Sequence, residues 1–159
     1  MSSTAAHPIL TLQDHVADLL AADPYFQGVT IYTERIADLE QQIADAIARL
    51  GFFLTITTSA GRAERSGPAG AHMRMVETLT VAITSNPLLD AASHPTALDA
   101  VPEVIRILDG QPNQPGVDTV HNPNAGTILR VTGHEFVPEA PEGLSVQHVN
   151  LETTIHFLS

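Results

Sequence analysis

Apolar and polar positions alternate along residues 145–157. Val149, Leu151, Thr153, Ile155 and Phe157 share one parity, and His148, Asn150, Glu152, Thr154 and His156 share the other. A period of two marks a strand with one buried face. The same alternation runs through residues 73–85, where Met75, Leu79, Val81 and Ile83 are apolar and Thr78 and Thr80 fall between them. Asn86-Pro87 stops that strand, because proline cannot donate to a ladder. Beyond a short loop, Ala97/Leu98, Val101, Val104/Ile105 and Leu108 recur at helical spacing up to Gly110, so a helix lays one stripe on the sheet. Phe52, Leu54 and Ile56 alternate against Phe53, Thr55 and Thr57 and predict a third strand over 52–58.

The remaining elements follow from the same patterns. Leu12, Val16, Leu19 and Leu20 predict a helix that Thr11 caps, with Asp14 as a partial capping box. Asp23-Pro24 ends it. Residues 25–28 turn the chain into a short β-branched strand, Val29 to Tyr32. A second helix opens at Thr33 or Glu34, with Ile36, Leu39, Ile43, Ile47 and Leu50 as its stripe and Gly51 at the C′ position. Its heptad-like spacing is too short-lived for a coiled coil, so it reads as a core-facing globular helix. Residues 127–137 form another strand, with Gly133 a candidate bulge, and 138–143 form a turn. The order α-β-α-β-β-α-β-β gives an α+β domain: a mixed or antiparallel sheet with helices packed mainly on one side.

Two stretches lack periodicity. Residues 59–72, SAGRAERSGPAGAH, read as a long exposed loop, and 111–126 as a second passage rich in proline and asparagine. Residues 1–8 read as a loose N-terminal tail. A structureless loop as long as 59–72 is uncommon inside a compact domain unless it is functional.

Composition narrows the function. The 159 residues suit a single domain, and the absence of cysteine excludes a disulfide framework and thiolate metal sites. The first residues do not resemble a signal peptide, and no apolar run approaches the roughly 18 residues of a membrane span. A soluble protein made in the cytoplasm, without membrane contact, is expected. The net charge is −11, with seven arginines and no lysine, so the phosphate backbone repels the chain and nucleic-acid binding is disfavoured. Tryptophan is absent, and no stacking platform for bases is evident.

Catalytic and metal chemistry finds little support. His148, Glu152 and His156 recur every four residues, but four strand residues span roughly 13 Å. Metal ligands sit about 2 Å from zinc, so these three cannot share an ion. His134-Glu135 on the neighbouring strand could join one of them, and a small enzyme using His134, His148 and His156 is the minority alternative. No nucleophile elbow, phosphate loop, dinucleotide fingerprint or HExxH occurs. Neither catalytic residues nor a metal or cofactor is assigned. Glu77 breaks the apolar parity of its strand. The favoured reading is an edge or end-of-strand position, or an ion pair with Arg130; a buried acid with a raised pKa is the alternative. The loop arginines Arg62 and Arg65 concentrate positive charge on an acidic protein. They can be a solvated loop, or an arm that docks on the acidic face of an identical neighbour, for which Glu34, Asp38 and Asp45 are candidates.

Taken together, the segments TLQDHVADLLA, VTIY, ERIADLEQQIADAIARLG, FFLTITT, RMVETLTVAITSNP, LDAVPEVIRILDG and VNLETTIHFLS resemble the tail terminator (tail completion) proteins of tailed phages and related tail-like particles. The likeness covers residues 9 to 158 and is weakest over 111–126. It implies an α+β subunit of a homo-oligomeric ring, typically a hexamer. Such a ring caps the tail tube, ends its polymerisation and joins it to the head connector. Its implied partners are tail tube protein and the connector or neck protein, while genomic DNA passes through without specific binding. The implied location is the head-proximal end of the virion tail, assembled in the host cytoplasm. A head-completion or neck adaptor is the alternative within the same assembly.

Overall fold

The computed structural model describes residues 7–65, 73–89, 94–115, 128–138, 140 and 143–157, with backbone alone at 65, 73, 156 and 157. Three helices and five strands follow in the expected order: α1 (Pro8–Ala22), β1 (Thr30–Thr33), α2 (Leu39–Arg49), β2 (Phe52–Arg65), β3 (Met73–Ser85), α3 (Ala97–Leu108), β4 (Arg130–Phe136) and β5 (Ser145–Phe157). The strands form one open mixed sheet in the order β1-β2-β3-β5-β4. Only β1 and β2 pair in parallel, with Thr30 beside Phe53 and Thr33 beside Ile56. Every other pair is antiparallel.

The main core lies on one face of the sheet, which we call the inner face. Leu54, Ile56, Leu79, Val81, Ile83, Val149 and Leu151 meet Leu12, Val16 and Leu20 of α1 and Val101, Val104 and Leu108 of α3. These are the apolar parities read from the sequence. The outer face carries a second, smaller cluster, where Tyr32 and Phe53 sit under α2. Ile36, Leu39, Ile43, Ile47 and Leu50 do form one stripe there, but each is only partly buried. Two helices thus cover the inner face and one covers a corner of the outer face.

Two helix starts differ from expectation. α1 begins one turn before Thr11, at Pro8, because proline at the first helical position is preorganised. The His7 Nδ1 accepts from the Leu10 N–H at 3.3 Å and serves as the cap. Pro8 therefore belongs to the helix rather than to a loose tail, and residues 1–6 lie outside the described residues. α2 starts at Leu39, not at Thr33 or Glu34. Thr33 is still paired with Ile56, and the Glu34 N–H donates to Gln13 Oε1 at 3.0 Å, which holds the chain extended. Gln13 is fully buried and also donates to Thr58 Oγ1 at 2.9 Å and to Glu34 Oε2. The Thr58 N–H in turn donates to Glu34 Oε2 at 3.1 Å. This network ties α1 to the ends of β1 and β2. Gln13→Leu removes the acceptor of the Glu34 N–H and one donor to its carboxylate, and is expected to cost about 1 kcal/mol in urea unfolding.

The largest correction concerns residues 59–72. Residues 59–65 are strand, paired with β3 from Ala60 opposite Thr78 to Arg65 opposite Met73. The register shifts once between Thr58 and Ala60, a bulge that absorbs Ser59. A backbone ladder offered by β3 outweighs the small, glycine-containing composition of 59–65; the remainder of the expected loop, 66–72, lies outside the described residues. Elsewhere Gly133 does sit at a register shift in β4. Gly51, however, is not in the left-handed conformation expected at a C′ position. It is needed for close approach, because a Cβ there would strike the His94 ring and lie 2.7 Å from the Leu89 carbonyl oxygen.

Candidate assembly surface

Beyond the ends of the helices the sheet continues as a three-stranded overhang of β2, β3 and β5. With 14 and 13 residues, β2 and β3 are long strands, about 45 Å at roughly 3.3 Å per residue. Ser59, Ala60, Gly61, Arg62, Ala63 and Glu64 are all exposed, although all but the bulge residue Ser59 are paired with β3. A strand exposed on alternating positions of both parities buries almost nothing of its own on either face.

The outer face beside α2 is polar, with Thr57, Thr78 and Asn150 half-buried and Thr80 buried among them. Its centre is the row Thr57, Thr80, Asn150, with Thr80 Oγ1 donating to Asn150 Oδ1 at 3.0 Å. The next row holds Thr78, Glu152 and Arg130. All of these but Arg130, with Ser59, Ala82, Thr132, Glu135 and His148, line a shallow depression of about 640 Å³. Hydroxyls and amides of this kind offer hydrogen bonds to a partner without demanding burial in the monomer.

Charge is placed unevenly around this face. Arg62 is 66% exposed and reaches Glu64 at 3.7 Å and Glu152 at 3.9 Å. Arg130 donates to the same Glu152 at 3.1 Å. Two guanidiniums and two carboxylates therefore share this patch, which brings exposed cations to the surface of an acidic chain without a net positive charge. Arg62 is consequently a strand residue and not part of a loop, and Arg65 is the last residue of β2. Of the three acids proposed to face such cations, Asp38 and Asp45 are exposed at the start and middle of α2, on the same side of the sheet as Arg62. Asp45 accepts from Gln41 Nε2 at 3.1 Å. Glu34 is different, because its carboxylate is occupied by Gln13 and Thr58 and holds the fold.

The histidines are dispersed. His134 pairs with Val149, and Glu135 pairs with His148, so His134 and His148 take opposite faces of the sheet. His134 and His148, two of the three histidines of the alternative reading, therefore do not share a site, and the side chain of His156 lies outside the described residues. His148 Nδ1 lies 3.9 Å from Glu135 Oε1, and His15 Nε2 lies 2.8 Å from the Pro112 carbonyl oxygen. Among the described residues no three histidines, aspartates or glutamates are grouped to hold a metal ion.

Glu77 overturns the favoured expectation. It sits mid-strand on β3, between β2 and β5, and is 2% exposed. Burial pushes its carboxyl above the usual range. Arg130, its expected ion-pair partner, is on the outer face with Glu152, whereas Glu77 takes the inner parity with Leu79 and Val81. The sequence signal was the acid on an apolar parity, and the parity was the better guide.

No described helix is long and apolar enough to cross a membrane. Comparison with protein-family models and with curated proteins gave no match.

Proposed function

We propose that this chain is a structural subunit of a phage-type tail, forming a ring that caps the tail tube, ends its growth and presents a surface to the head connector. The observation that supports this best is the overhang: residues 59–64 are ordered as strand yet exposed throughout. A paired strand that buries little in its own monomer is stabilised when a neighbour covers it. The polar outer face offers the same neighbour hydrogen bonds, and the exposed Arg62 and Arg130 offer it charge. Asp38 and Asp45 are the acids available for that contact. In a ring built this way the contact is heterologous, one patch against a different patch of the next subunit, and it closes by rotation. The net charge of −11 suits a channel that DNA traverses without being held.

Arg62→Glu tests the contact. Exposed ion pairs contribute about 0–1 kcal/mol to a fold, so the variant is expected to unfold almost as the parent does. Its assembly is expected to weaken by at least about tenfold, because a like charge then meets Asp38 or Asp45. Sedimentation of variant and parent across a concentration series measures this. Unchanged assembly removes Arg62 from the interface. A head-completion or neck adaptor would use the same surfaces, and binding to connector protein but not to tube protein would favour it.

A further inference from the structure

We propose that Glu77 is a proton-binding site that sets how firmly the far end of the sheet is held. The proposal stands independently of the tail reading. Glu77 occupies the boundary between the helix-covered core and the overhang. On one side of it Leu79, Val81 and Ile83 are fully buried. On the other, Met75 and Ile155 are only half-buried and Ala63 is exposed. Its cross-strand neighbours are Gly61 on β2 and Thr153 on β5.

Gly61 makes room for the acid. A Cβ on Gly61 would lie 2.8 Å from Glu77 Oε2 and 3.0 Å from Oε1, so the carboxyl lies over the bare Cα. The neighbouring hydroxyl is already committed: Thr153 Oγ1 donates to the Ile128 carbonyl at 2.9 Å and accepts from Asn113 Nδ2 at 3.0 Å. No hydrogen bond or ion pair among the described residues reaches the Glu77 carboxylate.

The charges of the described side chains do not compensate it. On β2, Arg62 and Glu64 lie on the outer face, and so do Glu152 on β5 and Arg74 on β3. Arg65 shares the inner parity of Glu77, opposite Met73, with its backbone four residues beyond Gly61, roughly 13 Å along β2. From α1, Asp14 is paired with Arg35, and His15 is hydrogen-bonded to Pro112. Residues 111–115 bring no titratable group. The carboxylate is partly desolvated here and has no charged partner among the described side chains. Its oxygens still touch water, because no fully buried side-chain oxygen among the described residues lacks a hydrogen-bond partner. Ionisation is therefore disfavoured relative to the neutral acid. Ionisation is relieved by local opening of the far end, where Met75 and Ile155 are already half in water and Val76 is the buried apolar neighbour that becomes exposed.

The sign follows from linkage. Burial raises the folded pKa above its ordinary value. The favourable contribution is therefore complete below the unfolded value, and is lost as pH rises through the higher folded value. The far end is tight in acid and looser at neutral pH.

Amide hydrogen exchange, corrected for intrinsic rates, tests this on the full chain. In Glu77→Gln, a neutral isostere, protection of the amides at positions 75, 77, 153 and 155 at about pH 8 is expected to rise roughly tenfold. Protection of Leu79, Val81, Val149 and Leu151 is expected to rise less, and the difference from the parent is expected to shrink in acid. Equal or lower protection in the variant at about pH 8, or the same gain across the whole sheet, overturns the proposal. If Glu77→Gln does not fold, the parent decides. Its far-end protection, relative to Leu79 and Val81, must fall between about pH 5 and about pH 8, and a constant ratio overturns the proposal.

Discussion

Leu79→Ala is expected to destabilise the domain by about 2–5 kcal/mol. Leu79 is fully buried on β3, the middle strand of the sheet, with Thr58 on one side and Leu151 on the other. Its face is closed by α1 and α3, so a cavity there cannot collapse easily. Ile43→Ala provides the contrast. Ile43 belongs to the half-buried stripe of α2 on the outer face, and its truncation is expected to cost about 1 kcal/mol, since much of its surface already meets water. Urea unfolding of both variants measures the ratio. Equal losses would mean that the outer cluster is as deep as the inner one, contrary to the architecture described.

Gly51→Ala is expected to cost about 3 kcal/mol, although it adds one methyl group to a site between a helix and a strand. The new Cβ meets the His94 ring and the Leu89 carbonyl, and neither can move away freely. A carbonyl oxygen faces each nitrogen of the His94 ring, that of Leu89 at 2.7 Å from Nε2 and that of Pro95 at 2.9 Å from Nδ1, and a neutral ring donates to one of the two. It also stacks on Phe52, with the ring centres 6.2 Å apart. The Gly51 carbonyl accepts from the Asn86 N–H at 2.8 Å, so the backbone at this glycine is fixed as well. Thermal unfolding of Gly51→Ala checks this. A variant as stable as the parent would show that the His94 loop yields, and that Gly51 is not required for close approach.

Much of this fold could be read from periodicity. β5 spans Ser145–Phe157 and β3 spans Met73–Ser85, as alternation alone predicted, because each strand has one face in the core and one outside. α3 was equally legible. Thr96 caps it, and Asp99 completes a capping box. What escaped was set by partners distant in sequence. Residues 59–65 carry no strand pattern of their own, and they are strand because β3 supplies the ladder. The late start of α2 depends on Gln13, twenty-one residues before Glu34. Gln13 lies on the apolar stripe of α1, three residues before Val16 and seven before Leu20, and that position was its only signal.

The assembly surface was legible in its charge and not in its geometry. Arg62 stood out as a cation on an acidic chain, but its place on the outer face, sharing Glu152 with Arg130, follows from the register of three strands. Glu34 looked like a surface acid by spacing, yet it is bound from both sides by Gln13 and Thr58. Asp23 is a comparable case. Both its oxygens accept from Arg106 of α3, at 3.1 and 3.2 Å, and this hydrogen bonding holds its carboxyl below the usual range.

The central claim is that this chain works as a ring on a tube end, and the mass of the purified protein in solution tests it most directly. Light scattering is to be measured with the chain alone and with tail tube protein added. The account predicts a discrete ring, six-membered by the family likeness, either from the chain alone or once the tube end is present. A monomer at every concentration, indifferent to tube protein, would contradict it.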